Sequence, residues 1–307
     1  MSTPTRTSVD PAADRPVVPA ATRSRWRPRL PRRFGWLVYL AAGVTVAATF
    51  LAPPLLPVLG LDPLNGDLRA QFQPPGTDGH LLGTDQLGRD VLARVLEGGQ
   101  YTFTIALVAT AIAGTIGVAL GLLGASLAHR KVLGRLLTRL VDFSIAFPNL
   151  VLVMVIIGVM GRTNTVLAVS LGLFFWPVVA RVVYAEGRRI LAQDYVTAAR
   201  LFGVSQVRLT LRHVVPNLGS VIAVVSAFQF ADLLIAAAAL SFLGLGPPIG
   251  VPEWGSMLSD ARNYMRSAPW YMLGPAVAII WSVVIANLFG DQLAKRTDAD
   301  LHETDRD

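Results

Sequence analysis

Six long apolar stretches constrain this chain more than any other feature, because each nears the ~20 residues needed to cross ~30 Å of hydrocarbon. They run from about Trp36 to Leu56, Tyr101 to Leu127, Phe143 to Met160, Val166 to Tyr184, Leu218 to Leu243 and Tyr271 to Phe289. Inside lipid every peptide group must find its partner within the protein, so an apolar segment of this length crosses as a helix. The expected fold is an all-α membrane protein of six transmembrane helices. Composition agrees: of 307 residues 53% are hydrophobic and 15% charged, far from the average of a soluble domain.

The distribution of basic residues orients the spans. With the N-terminus inside, 21 of the 27 Lys and Arg fall in inner segments: the first 33 residues, 129–139, 181–213 and the stretch after 290. Arg69, Arg89, Arg94, Arg162, Arg262 and Arg266 fall outside. This asymmetry is the positive-inside pattern, with both termini cytoplasmic. It accounts for the net charge of +7 without a nucleic-acid partner. Four regions follow: a disordered basic tail over 1–33, a first helix and outer loop over 34–100, a five-helix core over 101–291, and a tail over 292–307. The basic cluster before the first span could serve a signal peptide, but five further spans favour an uncleaved helix.

The core is interrupted by a polar, arginine-bearing stretch, 194–217, which reads as two short helices hinged at Gly203. Tyr195, Ala198, Ala199 and Phe202 repeat at helical spacing and predict one apolar face. Gly203 supplies a backbone able to end that helix. Ser205 is placed to cap a second helix, whose expected apolar stripe is Val207, Leu211, Val214 and Val215, with Arg208 and Arg212 beside it and Pro216 closing it. Spacing alone allows either a docking element or an amphipathic hairpin lying on the membrane.

Ala198-Ala199-xxx-Gly203, nine residues, then His213-Val214-Val215-Pro216 resembles the cytoplasmic loop of ABC importer permeases. Thr197 stands where that loop usually has Glu, and Val215 where it has Leu. The resemblance implies that the loop docks on an ATPase subunit and couples hydrolysis to opening of the pore. Further runs are similar to the dipeptide, oligopeptide and nickel branch: Gly83-Thr84-Asp85 with Gly88-Arg89-Asp90, Ser241 to Gly246, Glu253 to Leu258, and Asn287 to Asp291. What the branch implies is a bacterial inner-membrane permease subunit of the type I importer kind. Its partners would be a homologous second permease, two cytoplasmic ATPases and an extracytoplasmic substrate-binding lipoprotein. ATP and Mg would sit on the ATPases. Peptides are the implied substrate, with nickel chelates, glutathione or another small solute as alternatives. The stretch holding Glu253, Trp254 and Met257 would be an external gate near the binding-protein face.

Other features carry their own readings. Val91, Leu92, Val95 and Leu96 at helical spacing predict an interfacial helix before the second span. Gly114, Gly117, Gly121 and Gly124 give the second span a face of small residues, suited to close packing within the bundle or to a partner permease. Arg139 and Asp142, three apart, are placed to pair. Gln229 and Asp232 are polar groups in the middle of the fifth span, where a carboxylate is costly unless it faces water, a partner or takes a proton. They are candidate pathway residues or, equally, hydrogen-bonded packing residues; relatives of the branch have their acidic residue where this chain has Ala237.

No cysteine is present, and His80, His129, His213 and His302 show no ligand spacing, so no metal or thiol chemistry is expected. Lys131 and Lys295 are the only lysines and neither completes a phosphate-binding GxxxxGK[ST] loop. The chain is therefore expected to be no enzyme, with energy coming from another subunit or an ion gradient. The rival from a different class is an ion-coupled secondary transporter using Asp232; a membrane-embedded enzyme ranks below both.

Overall fold

The computed structural model of the protein describes residues 35–128, 130–248 and 250–304, so the expected tail 1–33 lies outside the described residues. The described residues are helical, with only isolated bridge pairs in the outer loop. Five helices are long and apolar enough to cross a membrane: α1 (Gly35–Leu55), α2 (Val91–Leu127), α5 (Asn164–Leu191), α9 (Gly219–Leu240) and α11 (Pro269–Thr304). A sixth span forms if α3 (Lys131–Ala146) and α4 (Asn149–Met160) count together, although they meet at 76°.

That bend divides the span expected over Phe143 to Met160 at Pro148, where the sequence places a kink-forming proline. Pro148 lacks an N–H and forces the residue before it into extended backbone, and Phe147 has φ −83° and ψ 142°. The apolar stretch thus divides, with Phe143 and Phe147 edge-to-face across the corner. A correction concerns the interfacial helix. Val91 to Leu96 form the first turns of α2 itself, which runs unbroken for 37 residues from its N-cap Asp90, whose carboxylate accepts the Ala93 N–H at 2.8 Å. Nor do residues 292–304 make a separate tail: α11 continues through them.

The centre of the bundle is α2 packed lengthwise on α5. A Cβ at Gly117 would lie 2.8 Å from the Trp176 carbonyl and 2.6 Å from Val179, and one at Gly121 would lie 2.7 Å from the Ala180 carbonyl. The small-residue face therefore serves packing within the chain, although Gly114 at its start faces open space. Ile105 and Ala109 of α2, Val153 and Ile157 of α4, Leu171 of α5 and Leu233 of α9 bury a shared core. The first helix leans on α2 and α11 with little of its surface covered.

Outside the spans, residues 56–90 fold into a lobe around buried charge. Asp85, fully buried, accepts the Leu87 and Arg89 N–H groups at 2.8 and 3.0 Å and the Arg89 Nε at 2.8 Å. Arg94 of α2 lies 3.5 Å from the same carboxylate and donates to the Pro63 carbonyl at 3.2 Å. Gly88, at φ +73°, lets the Asp67 backbone approach so closely that any side chain would collide. The stretch read from sequence as a lead-in to the second span is thus a charge-locked cap on it.

Candidate functional site

The stretch 194–217 forms two short arms around a reversal. The first, α6 (Asp194–Leu201), ends at Phe202, and Gly203 takes φ +79°, a left-handed conformation that glycine adopts without strain. The second begins with α7 (Gln206–Leu209) and passes through one wide π turn, Thr210–Val214, into α8 (Val215–Asn217). Ser205 stands at the N-cap of α7 but its hydroxyl makes no capping bond, contrary to expectation. Pro216 does not close the second arm either; it lies inside α8, and the chain runs on through Leu218 into α9.

The wide turn inverts the expected face. Pro216 has no N–H to give the Arg212 carbonyl, and its ring crowds that carbonyl. The Val215 N–H instead reaches the Thr210 carbonyl, five residues back, which inserts one residue into the turn. The buried series is therefore Leu209, Val214 and Leu218, joined by Val196 and the half-buried Ala199 and Val204. These pack against Ala125 of α2 and Val183, Ile190 and Leu191 of α5. Of the expected stripe only Val214 is buried; Val207 is 67% and Leu211 64% exposed, and Val215 also faces outward. Tyr195 is exposed as well, Phe202 is 88% exposed, and Ala198 points outward, with only Ala199 of the first face turned in. Leu201, which the spacing did not single out, is 85% exposed.

The result is an apolar outer surface, Tyr195, Leu201, Phe202, Val207 and Leu211, on a base anchored by a second, buried apolar set. Arg208 and Arg212 are exposed beside it. The arms are tied together by Tyr195 and His213, whose rings meet edge-to-face at 5.6 Å, while within the second arm the Asn217 amide donates to the His213 carbonyl at 2.6 Å. At the foot of α5, Arg189 holds Glu186 through contacts of 2.6 to 3.0 Å. Asp142 pairs with Arg181 of α5 at 3.3 Å rather than with Arg139 of its own helix.

The two mid-span polar residues do not share an environment. Gln229 is buried and donates to the Phe175 carbonyl of α5 at 3.3 Å, satisfying a position next to Pro177. Asp232, three residues on, is exposed, in line with the exposed Ile235 and Ala239. Gln229 is thus a packing residue, and of the two Asp232 alone keeps an open side.

Glu253, Trp254 and Met257 are corrected outright as an external face: all three are buried. Glu253 caps α10 (Trp254–Ala261), accepting the Gly255 and Ser256 N–H groups at 2.9 Å each, and receives the Thr102 hydroxyl of α2 at 3.2 Å. Complete burial pushes its carboxyl above the usual range, against the lowering effect of these hydrogen bonds. Trp254 donates its Nε1–H to the Val95 carbonyl at 2.8 Å and lies against Gly98 and Gly99, where a Cβ would come within 3.0 Å of the indole. The Glu-Gly-Gly run before the second span and the Glu-Trp-Gly run after the fifth are therefore two halves of one clasp. The pairing of Thr102 with Glu253, 151 residues apart, has no signature in either stretch. Among the described residues no cluster of His, Asp or Glu could hold a metal ion.

This bundle, with a hinged pair of arms between its fourth and fifth spans, is the architecture of a transport permease. Residues 117–299 match the family of binding-protein-dependent transport system inner membrane components, and the chain belongs to that family. It is 35% identical over 301 residues to a putative peptide transport system permease of Brucella suis, covering 98% of both chains. It is 39% identical over 223 residues to a di/tripeptide transport system permease of Pseudomonas aeruginosa, covering 72% of each. The inward-facing MetNI methionine ABC transporter shares its fold, with a TM-score of 0.52 at 15% identity, over 66% of this chain and 95% of that one. The protein is accordingly a multi-pass membrane component of a binding-protein-dependent transport system.

Proposed function

We propose that this chain forms half of the translocation pathway of an ATP-driven peptide importer and that the hinged arms over 194–217 are its cytoplasmic contact with an ATPase. One observation carries the reading: the arms turn Tyr195, Leu201, Phe202, Val207 and Leu211 outward while a separate apolar set anchors them. Exposed aromatic and aliphatic side chains clustered on a fixed base outside the spans are a surface made to be covered. Arg208 and Arg212 at its edge suit an acidic rim on the partner. The positive-inside pattern of the basic residues supports a cytoplasmic position for this side and for both termini.

The remaining roles follow from the family. A second permease completes the pathway, two ATPases supply the energy, and an extracytoplasmic binding protein delivers substrate. ATP and Mg are assigned to the ATPases, since neither lysine of this chain sits in a phosphate loop. Peptides are the favoured substrate because the relatives that align over most of their length carry that name. Asp232, on the uncovered margin of α9, is a spanning-helix carboxylate placed to meet a peptide's amino group.

The test is co-purification and transport by two variants. Phe202→Asp places a charge in the centre of the outer patch, and Gly203→Leu strains the left-handed turn. Both are expected to insert normally, lose the ATPase during purification and import no peptide. Variants that retain the ATPase and wild-type import would sink the docking assignment. Asp232→Asn is expected to keep the ATPase and to change the rate or preference among peptides; import indistinguishable from wild type across peptides and pH would remove Asp232 from the pathway.

A further inference from the structure

A long slot opens between α1, α2, α9 and α11, with a volume near 870 Å³. Tyr39 and Phe50 on α1, Phe103 and Leu107 on α2, Phe230 on α9 and Leu293 on α11 lie along it. Three of its hydroxyls are already occupied. Thr110 and Ser282 donate to the carbonyls four residues back in their own helices, at 2.7 and 2.8 Å. Thr45 does the same at 2.8 Å and also receives the indole N–H of Trp281. Between its ends the walls thus offer a polar solute little beyond the Ser226 hydroxyl. What they fit is hydrocarbon.

Its length and one end say which hydrocarbon. From Tyr39 to Phe50 the slot follows α1 for ~16 Å at the rise of a helix, about half the ~30 Å hydrocarbon core and so the depth of one leaflet. At the Tyr39 end, Arg296 stacks its guanidinium over the tyrosine ring, 4.4 Å from the centroid. No described carboxylate lies within ion-pairing distance of Arg296, and Lys295 is exposed next to it. The Tyr39 hydroxyl, shielded from solvent at the same end, has no hydrogen-bond partner among the described residues. An apolar slot one leaflet deep, closed by a cation and a spare phenol donor, matches an acyl chain with a phosphate at its head.

We infer that the slot holds an anionic phospholipid of the leaflet on the side of the N-terminus, its phosphate on Arg296 and Tyr39 and one acyl chain between α1 and the bundle. The lipid fills the gap that leaves α1 so sparsely packed, and so holds the first helix in place. The inference is independent of which solute is transported.

The full-length chain, carrying Leu107→Trp in the slot, is reconstituted in phosphatidylcholine vesicles with a minor fraction of phosphatidylglycerol, bromine being carried on one lipid or the other. The indole at position 107 is expected to be quenched by brominated phosphatidylglycerol about fivefold beyond its share of the membrane. Ile280→Trp, on the exposed side of α11, should show no such excess, and adding Arg296→Gln should remove it from position 107. Quenching in simple proportion to lipid composition would mean ordinary bilayer contact and overturn the site. Quenching by neither lipid would mean that a protein segment, from this chain or another, fills the slot, and overturns it equally. As a check without a new tryptophan, wild-type protein and Arg296→Gln are stripped in detergent and their retained lipids weighed by mass spectrometry. Retention of anionic phospholipid by the wild type alone is expected; equal retention would refute the assignment.

Discussion

The clasp at one end of the bundle and the hinged arms at the other solve opposite problems with the same residue types. Around α10 and the 56–90 lobe, charged groups are buried and every major one has a partner: Asp85 with Arg89 and Arg94, Glu253 with two N–H groups and Thr102. Around Gly203, apolar groups are exposed and lack partners, while Arg208 and Arg212 face outward beside them. One region pairs its main buried charges within the chain; the other leaves apolar side chains uncovered. A motif's resemblance to relatives is therefore compatible with two different roles, and burial separates them. Glu253 and Trp254 are buried in the chain, whereas Phe202 and Leu201 are left exposed on it.

The largest effect that could break this contrast is at Asp85. Asp85→Leu leaves Arg89 and Arg94 buried and unpaired and is expected to cost ~3–5 kcal/mol, read as a loss of thermal stability in detergent; a variant as stable as wild type would show the lobe to be less closed than its geometry. Next comes Gly98→Val. Its side chain would collide with the Pro252 carbonyl and press on Trp254, so a loss of ~1–3 kcal/mol from overpacking is expected. Gly114→Val, with open space around its Cβ, is the matched control and should be close to neutral.

A smaller effect is the dependence of the clasp on pH. Burial raises the carboxyls of Glu253 and Asp260 above their ordinary values of 4.5 and 3.8. The folded protein then holds protons that the unfolded chain would release, so their contribution grows as pH falls from neutral toward the unfolded values. Asp62, lowered by hydrogen bonds from Asn65 and Leu64, works in the opposite sense only below 3.8. Thermal stability should therefore rise modestly on mild acidification, and Glu253→Gln should flatten that rise. A stability falling steadily over this window would show that ionised, not protonated, carboxyls support the clasp.

The smallest stability change is expected at the arms. Phe202→Ser removes a side chain that touches little of its own chain and should shift stability by no more than ~0.5 kcal/mol. Its loss should be felt in ATPase capture alone. A large destabilisation would mean that Phe202 packs inward, and would erase the difference between the two regions.

Hydropathy located the spans because length and composition alone decide whether a segment can cross lipid. The ends were harder. Nothing in the apolar run up to Met160 marks a 76° corner except Phe147-Pro148, a pair that bends a chain only when neighbouring helices leave room. The hinge at Gly203 was readable from its residue type, whereas the faces of the arms were not. A count at 3.6 residues per turn assumes that every N–H reaches back four, and Pro216 makes its neighbour reach back five. The clasp was invisible for another reason. Thr102 and Glu253 are far apart in the chain, and each is unremarkable until the fold brings them together.

The close approach of α2 to α5 has a mechanical consequence. Two rods whose backbones approach at Gly117 and Gly121 cannot slide without driving Val179 and Val183 of α5 out of the notches those glycines leave in α2. They resist shear and share one bending stiffness. α5 runs 28 residues, ~42 Å, from Asn164 to the foot of the hinged arms. Force applied at Phe202 therefore enters a stiff beam and emerges at its far end as a change of angle. The compliant parts lie elsewhere, at the corner between α3 and α4 and at the wide turn Ser241–Leu245 beyond α9.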